Sequence, residues 1–469
     1  MKRVLLAVPP TGNFIREDRC QTPIDKLKTV APRPPIDLLY MAAGLEQKGV
    51  ECRVRDYPVL GWEWPEFKKE LAEFSPEMVI FSITTPSLAA DMEACTITKE
   101  VNPSIITAAK GAHFNTRDIK SMEAYPQLDL CFRGEYEFTP GELATTEDWS
   151  QVGGITYRKD GKIIRNPDRG YIQDLDSIPY PARHLVDNRH YYRPDTGQPQ
   201  TNIITNRGCP FQCIYCLSRQ VAGTRMRARS PENILGEIKS CVKEFGIRNF
   251  LFRSDTFTMD KKWTLELCRQ IKESGLNIHW TCNSRVDTID EDRLHAMKEA
   301  GCWLIAFGIE AGTEEMLTHL KKGAHLEQAR KALQLCKKVG VRTSIYLLIG
   351  APWETEETFM KTVDFGLELD PDFVEFFYIY PFPGTEYHDE AVKLGLLPED
   401  YFPEEAYDSP VIPSLHLSIE QLAHLRKKAI RRFLLRPSYI WHTLRQVRSP
   451  KEVINYIKYG IEQLIQLSK

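Results

Sequence analysis

What most constrains the fold is a pattern that runs twice through the 469 residues: short apolar runs alternating with helix-period stretches. In residues 1–150 strands are expected at Val4–Val8, Cys52–Asp56, Met78–Ile83, Ile105–Ala109 and Leu128–Arg133. Helices are expected between them at Leu38–Lys48, Trp64–Phe74 and Ala89–Glu100. Strands that are apolar throughout are buried on both faces, and the alternation with helices implies a parallel, doubly wound α/β sheet of Rossmann type. Such a sheet binds its ligand outside the carboxyl ends of the strands. Here those ends are Val8–Thr11, Ser82–Thr85, Lys110–His113 and Arg133–Glu135. Residues 151–198 read as a hairpin, turning at Asp160-Gly161, and an irregular Pro-, Asp- and Arg-rich linker.

The alternation resumes over residues 199–390. Strands are expected at Asn202–Asn206, Asn249–Arg253, His279–Ser284, Trp303–Ile309, Thr343–Ile349 and Phe373–Tyr380. The intervening helices begin at caps such as Ser230, Asp260 and Asp290 and stop at Gly246, Gly275, Gly301 and Gly340. Six such units predict a partial (β/α)6 TIM-like barrel, with its chemistry at the strand carboxyl ends. Residues 391–469 are expected to form a basic helical region: from position 420 on there are eleven Lys or Arg against three Asp or Glu. Leu422, Leu425, Ala429 and Phe433 make an apolar stripe among Arg426, Lys427, Arg431 and Arg432.

A net charge of −3 argues against a dedicated nucleic-acid binder. No apolar run reaches the roughly 18 residues that span a bilayer, and the apolar run after Met1-Lys2-Arg3 is too short for a signal peptide. A cytoplasmic protein is expected. In that compartment clustered cysteines point to metal or redox chemistry rather than disulfides. Of the twelve cysteines nine are scattered; Cys209, Cys213 and Cys216 form a CxxxCxxC motif directly after the first barrel strand. Thiolates on a tight loop suit iron–sulfur or zinc. A four-cysteine zinc site lacks its fourth ligand at short range, whereas three thiolates on a cubane leave one iron open.

The spacing, its place after the first strand and the aromatic Tyr215 resemble the radical S-adenosylmethionine (SAM) superfamily. The resemblance implies a [4Fe–4S] cluster on Cys209, Cys213 and Cys216, SAM chelated to the open iron, and its reductive cleavage to methionine and a 5′-deoxyadenosyl radical. It also implies anaerobic chemistry and a reductant such as flavodoxin or ferredoxin. Further likenesses stand at successive strand ends. Arg253-Ser-Asp-Thr-Phe-Thr258 keeps Asp255 where a paired-acid segment is usual. Asn283-Ser-Arg-Val-Asp287 contains Arg285, Gly308-Ile-Glu-Ala-Gly312 contains Glu310, and Gly350-Ala-Pro-Trp-Glu354 follows strand five. By that resemblance Arg285 meets the SAM carboxylate and Glu310 the ribose or the methionine amine. Tyr215, Asp255 and Gly350 complete the SAM site. An ion pair for Arg285 or Glu310, loop packing for Tyr215 and a plain turn for Gly350 are the structural alternatives.

The N-terminal sheet resembles a cobalamin (B12)-binding domain, through Pro34–Leu45, Val79–Thr85, Gly111-Ala-His113, Arg133-Gly-Glu135 and Gln173–Pro179. Thr84, Thr85, Gly111, His113, Gly134 and Glu135 are the implied cobalamin contacts. The D-x-H-x-x-G segment that supplies a lower histidine ligand is absent from Pro9–Cys20, and Lys110 precedes Gly111 where a second glycine is usual. Relatives of this architecture include B12-dependent C-methyltransferases and anaerobic magnesium-protoporphyrin IX monomethyl ester cyclases. The expectation is therefore C-methylation of an unactivated carbon in a small hydrophobic substrate, a lipid or tetrapyrrole among the candidates. A non-methylating radical cyclase or carbon-skeleton enzyme is the second reading, and a cobalamin-binding regulator with an inactive barrel the third. The basic tail, with Tyr439 and Trp441, could add a weak peripheral membrane contact.

Overall fold

The computed structural model describes residues 1–17, 20–23, 32–193, 195–400 and 409–437. The N-terminal strands are β1 (Arg3–Val8), β2 (Phe14–Glu17), β3 (Cys20–Pro23), β4 (Glu51–Asp56), β5 (Met78–Ser82), β6 (Ile106–Lys110), β7 (Leu130–Phe132), β8 (Ile155–Lys159) and β9 (Lys162–Arg165). Their sheet has the order β4-β1-β5-β6-β7-β8-β9. The first five strands are parallel, and the β8–β9 hairpin adds on antiparallel. Side-chain alternation splits each strand between two cores. Val4, Leu6 and Val8 of β1 face one, and Leu5 and Ala7 the other. The strand order reverses between β1 and β5, which makes that crevice the topological switch point.

The second sheet runs β10 (Gln200–Ile204), β13 (Asn249–Arg253), β14 (His279–Ser284), β15 (Cys302–Glu310), β16 (Arg342–Ile349) and β17 (Phe373–Tyr378), all parallel and in chain order. A short ribbon of β11 (Asn206–Arg207) and β12 (Arg227–Ala228) stands beyond β10. This is the expected partial barrel. Its helices start as the sequence implies: Ser230, Asp260 and Asp290 accept the backbone N–H of Asn233, Trp263 and Arg293. Gly246 and Gly340 end theirs in the left-handed conformation.

The helix Ile36–Glu46 is buried over nearly its whole length, because it lies between the N-terminal sheet and the linker. Leu175, Ile178 and Ala182 of the linker pack in the same core, and the Ala182 N–H bonds the Leu39 carbonyl. The linker is thus pinned at both ends. Arg183 donates to Glu237 at 2.6 Å, and Arg229 pairs with the other oxygen of the same buried carboxylate.

The tail helix Ile419–Leu434 turns Leu422, Leu425, Ala429 and Phe433 into the barrel core. Lys428 and Arg432 pair with Glu356 and Asp364 of the neighbouring helix. Its apolar stripe is therefore consumed by the barrel, and Tyr439 and Trp441 lie outside the described residues. No described helix is long and apolar enough to cross a membrane.

Replacing Glu237 by Gln leaves two buried guanidiniums without their countercharge. Urea denaturation should show a loss of about 3–5 kcal/mol; a loss below about 1 kcal/mol would mean water reaches the triad.

Candidate active site between the two sheets

The cysteine loop begins and ends at the β11–β12 ribbon, so residues 208–226 close on themselves. Gly208 opens the loop at φ +90°, and a Cβ there would run into the Arg225 carbonyl. Its N–H donates to the Asp255 carboxylate, which places Asp255 behind the loop as its anchor. The Cys209 N–H bonds the Gly223 carbonyl at 3.1 Å, and the Cys216 N–H bonds the Cys213 carbonyl at 3.2 Å. The Ser218 N–H points at Cys216 Sγ, 3.5 Å away. Cys52, Cys95, Cys131, Cys241, Cys268, Cys282, Cys302 and Cys336 are buried, whereas Cys209, Cys213 and Cys216 are part-exposed. Burial, opposed by the Phe211 N–H, pushes the Cys209 thiol up. Among the described residues no three His, Cys, Asp or Glu side chains converge as a single ion would need.

Around the loop the structure gathers the residues expected at strand ends. Arg285 lies with its guanidinium 3.4 Å from the centroid of Phe211, which sits between the first two cysteines. Its fork is closed on Asp287 by bonds of 2.9 and 2.8 Å. Glu310 ends β15 at φ +69°, after a bulge, and is buried with Lys322 Nζ 2.7 Å away. Gly308 makes room for this: a side chain there would strike both Glu310 Oε1 and Lys322 Nζ. Tyr215 is held by Glu310, and burial first, then the Cys213 and Glu310 charges, push its phenol well above the usual range. Lys322 was not singled out from the sequence; its neighbour in space lies 12 residues back on another element, and no local pattern marks it. Gly350 donates its N–H to Glu354 at 2.6 Å and accepts from the Tyr387 hydroxyl at 3.1 Å. Glu354 is another residue given no role from the sequence. Burial, only partly countered by the Gly350 N–H, raises its carboxyl to about 8.

At the N-terminal sheet edge the expected contacts lie together but are bonded within the chain. Thr84 Oγ1 is 2.6 Å from Ser87 Oγ, and the Thr85 N–H donates to Gln21 at 2.9 Å. His113 spans Thr85 and Ser121 at 3.3 and 3.1 Å. Since Ser121 gives its proton to the Arg117 carbonyl, it accepts from His113 Nε2, and Nδ1 accepts from Thr85. Burial, and then the Arg117 charge, lower this ring to about 3, so it is neutral. Gly111 is tight against backbone: a Cβ would collide with the Ile83 carbonyl. The Gly134 N–H donates to Asn115 at 2.8 Å.

The β2–β3 hairpin, to which the sequence pattern assigned no element, folds over this edge. Arg16 reaches the Ser82 carbonyl at 2.7 Å and pairs with the fully buried Asp91. Polar Arg16-Glu17 gives no strand alternation, which is why the pattern missed it. Lys110 turns to Asp37 at 3.1 Å, and Asp37 also takes Arg253 from the end of β13. Glu135 accepts from both Nη atoms of Arg227 at 2.8 Å, across to the barrel side. A small pocket, open to solvent, lies here between the sheets, lined by Gly134–Glu137 on one side and Asn206, Arg207, Ala222, Arg253 and Asp255 on the other.

Comparison with known proteins agrees with this geometry. Residues 203–366 match the radical SAM superfamily, and residues 27–144 match the B12 binding domain. An uncharacterized methyltransferase of Pyrococcus horikoshii is 31% identical over 442 residues, covering 93% of this chain and 94% of its own. The chain belongs to the B12-binding radical SAM family. The anaerobic magnesium-protoporphyrin IX monomethyl ester cyclase of Rubrivivax gelatinosus is 28% identical over 370 residues, 76% of this chain and 66% of its own. The radical SAM methyltransferase TsrM from Kitasatospora setae, solved with cobalamin and a [4Fe–4S] cluster, superposes with a TM-score of 0.68 at 20% identity, over 84% of this chain and 75% of its own. The radical SAM match carries with it a [4Fe–4S] cluster and SAM, and the B12-binding match cobalamin.

The donor set fits the cluster: three part-exposed thiols on one anchored loop, with backbone N–H groups turned to the sulfurs. For cobalamin the fold offers the right edge. The side chains there are satisfied within the chain and the hairpin lies over them, so no lower-face ligand is assigned among them.

Two measurements test the site. Reconstituted wild-type protein should carry about four irons, and the triple variant Cys209→Ala, Cys213→Ala, Cys216→Ala almost none, by iron and sulfide analysis. A full cluster in the triple variant would refute the assignment. Glu354 is protonated in the fold up to about pH 8 but ionises near 4.5 when unfolded. Its contribution is full below the lower value and is lost as the pH rises toward the upper one. The Tm of Glu354→Gln relative to wild type should therefore climb between about pH 5 and 8; a flat difference means Glu354 titrates normally.

Proposed function

We propose that the protein is a cobalamin-dependent radical SAM methyltransferase that transfers a methyl group to an unactivated carbon of a small molecule. The observation that carries this reading is the seat of the cysteine loop against the carboxyl ends of the B12-binding sheet, with a pocket between them. Support for methylation over ring closure comes from the Pyrococcus horikoshii methyltransferase, which at 31% identity over 94% of its chain is more similar to this protein than the Rubrivivax gelatinosus cyclase at 28%.

When bound, the cluster supplies the electron for SAM cleavage, and cobalamin supplies a methyl carrier. The rest of the work falls to this chain. Cys209, Cys213 and Cys216 hold the cluster and leave one iron for SAM. Arg285, fixed by Asp287 and Phe211, supplies the positive charge for the SAM carboxylate. Glu310, oriented by Lys322, accepts from the methionine amine or ribose. Tyr215 and Gly350 border the adenine, and Asp255 holds the loop from behind. An electron carrier such as flavodoxin or ferredoxin serves as the reductant.

The test is anaerobic turnover with cobalamin, reductant and SAM labelled in its methyl group, on extracts of cells lacking the gene. Lipid and tetrapyrrole fractions are analysed first. Equal amounts of 5′-deoxyadenosine and S-adenosylhomocysteine, with label in one extract component, are expected. 5′-Deoxyadenosine alone, undiminished without cobalamin, would replace this reading by the non-methylating one.

A further inference from the structure

We infer that Glu135 and Glu137 are positioning residues for the iron–sulfur loop: two carboxylates of the B12-binding domain that grip the two ends of the loop and set how firmly it holds its cluster. The inference rests on ligation by the three cysteines, not on methyl transfer.

The loop has two ends, and each carries an arginine. Arg207 stands immediately before Gly208, and Arg227 closes the loop in β12. The β11–β12 ribbon that joins them is two residue pairs long, too short to be stable alone. Both guanidiniums leave the barrel and reach the segment after β7. Arg227 meets Glu135 through both Nη atoms at 2.8 Å. Arg207 pairs with Glu137, and its other nitrogen lies 3.3 Å from Glu135. These are not surface pairs: the four side chains are between 3 and 13% exposed. The Ile172 N–H donates to Glu135 at 2.6 Å, so the linker fixes the carboxylate from a third side.

The grip reaches the cysteines directly. Arg227 Nη2 also donates to the Ala222 carbonyl at 2.7 Å, at the end of the short helix Ser218–Ala222 that comes after Cys216. Gly223, the next residue, gives its carbonyl to the Cys209 N–H. One side chain thus connects Glu135 to the stretch that bonds the first cysteine and lies just beyond the last. A barrel without the N-terminal domain would keep the three cysteines and lose both countercharges. Groups that orient ligands without touching the metal commonly change metal affinity roughly 10–100-fold.

The experiment uses the full chain, reconstituted anaerobically, and follows iron release to excess ferrous chelator alongside the Tm. Glu135→Gln and Glu137→Gln should still load about four irons, and each should release them roughly 10-fold faster than wild type. Combining Glu135→Gln with Arg227→Gln should speed release by less than the product of the two single effects, because the two residues share a contact. Leu71→Ala opens a cavity in the outer core of the same domain, far from these pairs, and is the control: its Tm falls and its iron release stays at the wild-type rate. Release at the wild-type rate in both Gln variants would overturn the inference, as would Leu71→Ala releasing iron as fast as they do. Wild-type protein that loads no iron would instead sink the cluster ligation itself.

Discussion

Buried arginine–carboxylate pairs hold the carboxyl ends of the two parallel sheets toward each other, and the rest of the molecule is arranged around that seam. Asp37 sits near its middle, between Lys110 of one sheet and Arg253 of the other, each at 3.1 Å. Burial works against the Asp37 charge, but Arg253 and Lys110 more than offset it and hold the carboxyl well below its ordinary value. Taking such charges out of water is costly, and well-packed apolar groups would often serve stability as well. What ion pairs add is direction. A guanidinium fork meets a carboxylate in few orientations, so the seam fixes how one sheet end is set against the other. The B12-binding edge and the cysteine loop meet each other through that setting.

Much of this was legible in the sequence, because its signals are local. Strand and helix periods are read over a few residues, so the strands of both sheets and the helix caps emerge from the pattern. The three cysteines could be placed because the loop directly follows a strand that the pattern located. The seam was not legible. Lys110 stood out only as a departure from the usual glycine, and its partner Asp37 lies 73 residues earlier. Glu135 looked like a cofactor contact, and it grips Arg227, 92 residues later. Ion pairs of that separation leave no periodic trace. The tail shows the same limit: its basic face suggested a membrane, yet the stripe beside it had a closer apolar surface to cover.

The barrel side shows where strain is placed. Glu310 takes a left-handed conformation that a non-glycine residue rarely holds. It does so at a bulge, where β15 no longer needs its regular register with β16. Gly308 gives up its side chain so that Glu310 and Lys322 can lie across the strand. The sequence showed a Gly-Ile-Glu-Ala-Gly segment; the structure shows that its first glycine makes space for the acid beside it. Strained, buried polar residues of this kind cluster where a fold serves chemistry rather than its own stability.

The pinned linker bears on how such a protein can be taken apart. Leu175, Ile178 and Ala182 complete the core of the first domain, and Arg183, the next residue, completes a charge triad in the second. No cut in this stretch leaves two self-sufficient pieces. A cut before it strips the first domain of part of its core, and a cut after it leaves Glu237 with one guanidinium instead of two. The two domains cannot be exchanged like beads on a string: a chimera drawing its B12-binding half from a relative would have to import the linker, the helix Ile36–Glu46 that it covers and the barrel helix that receives Arg183, as one inherited block.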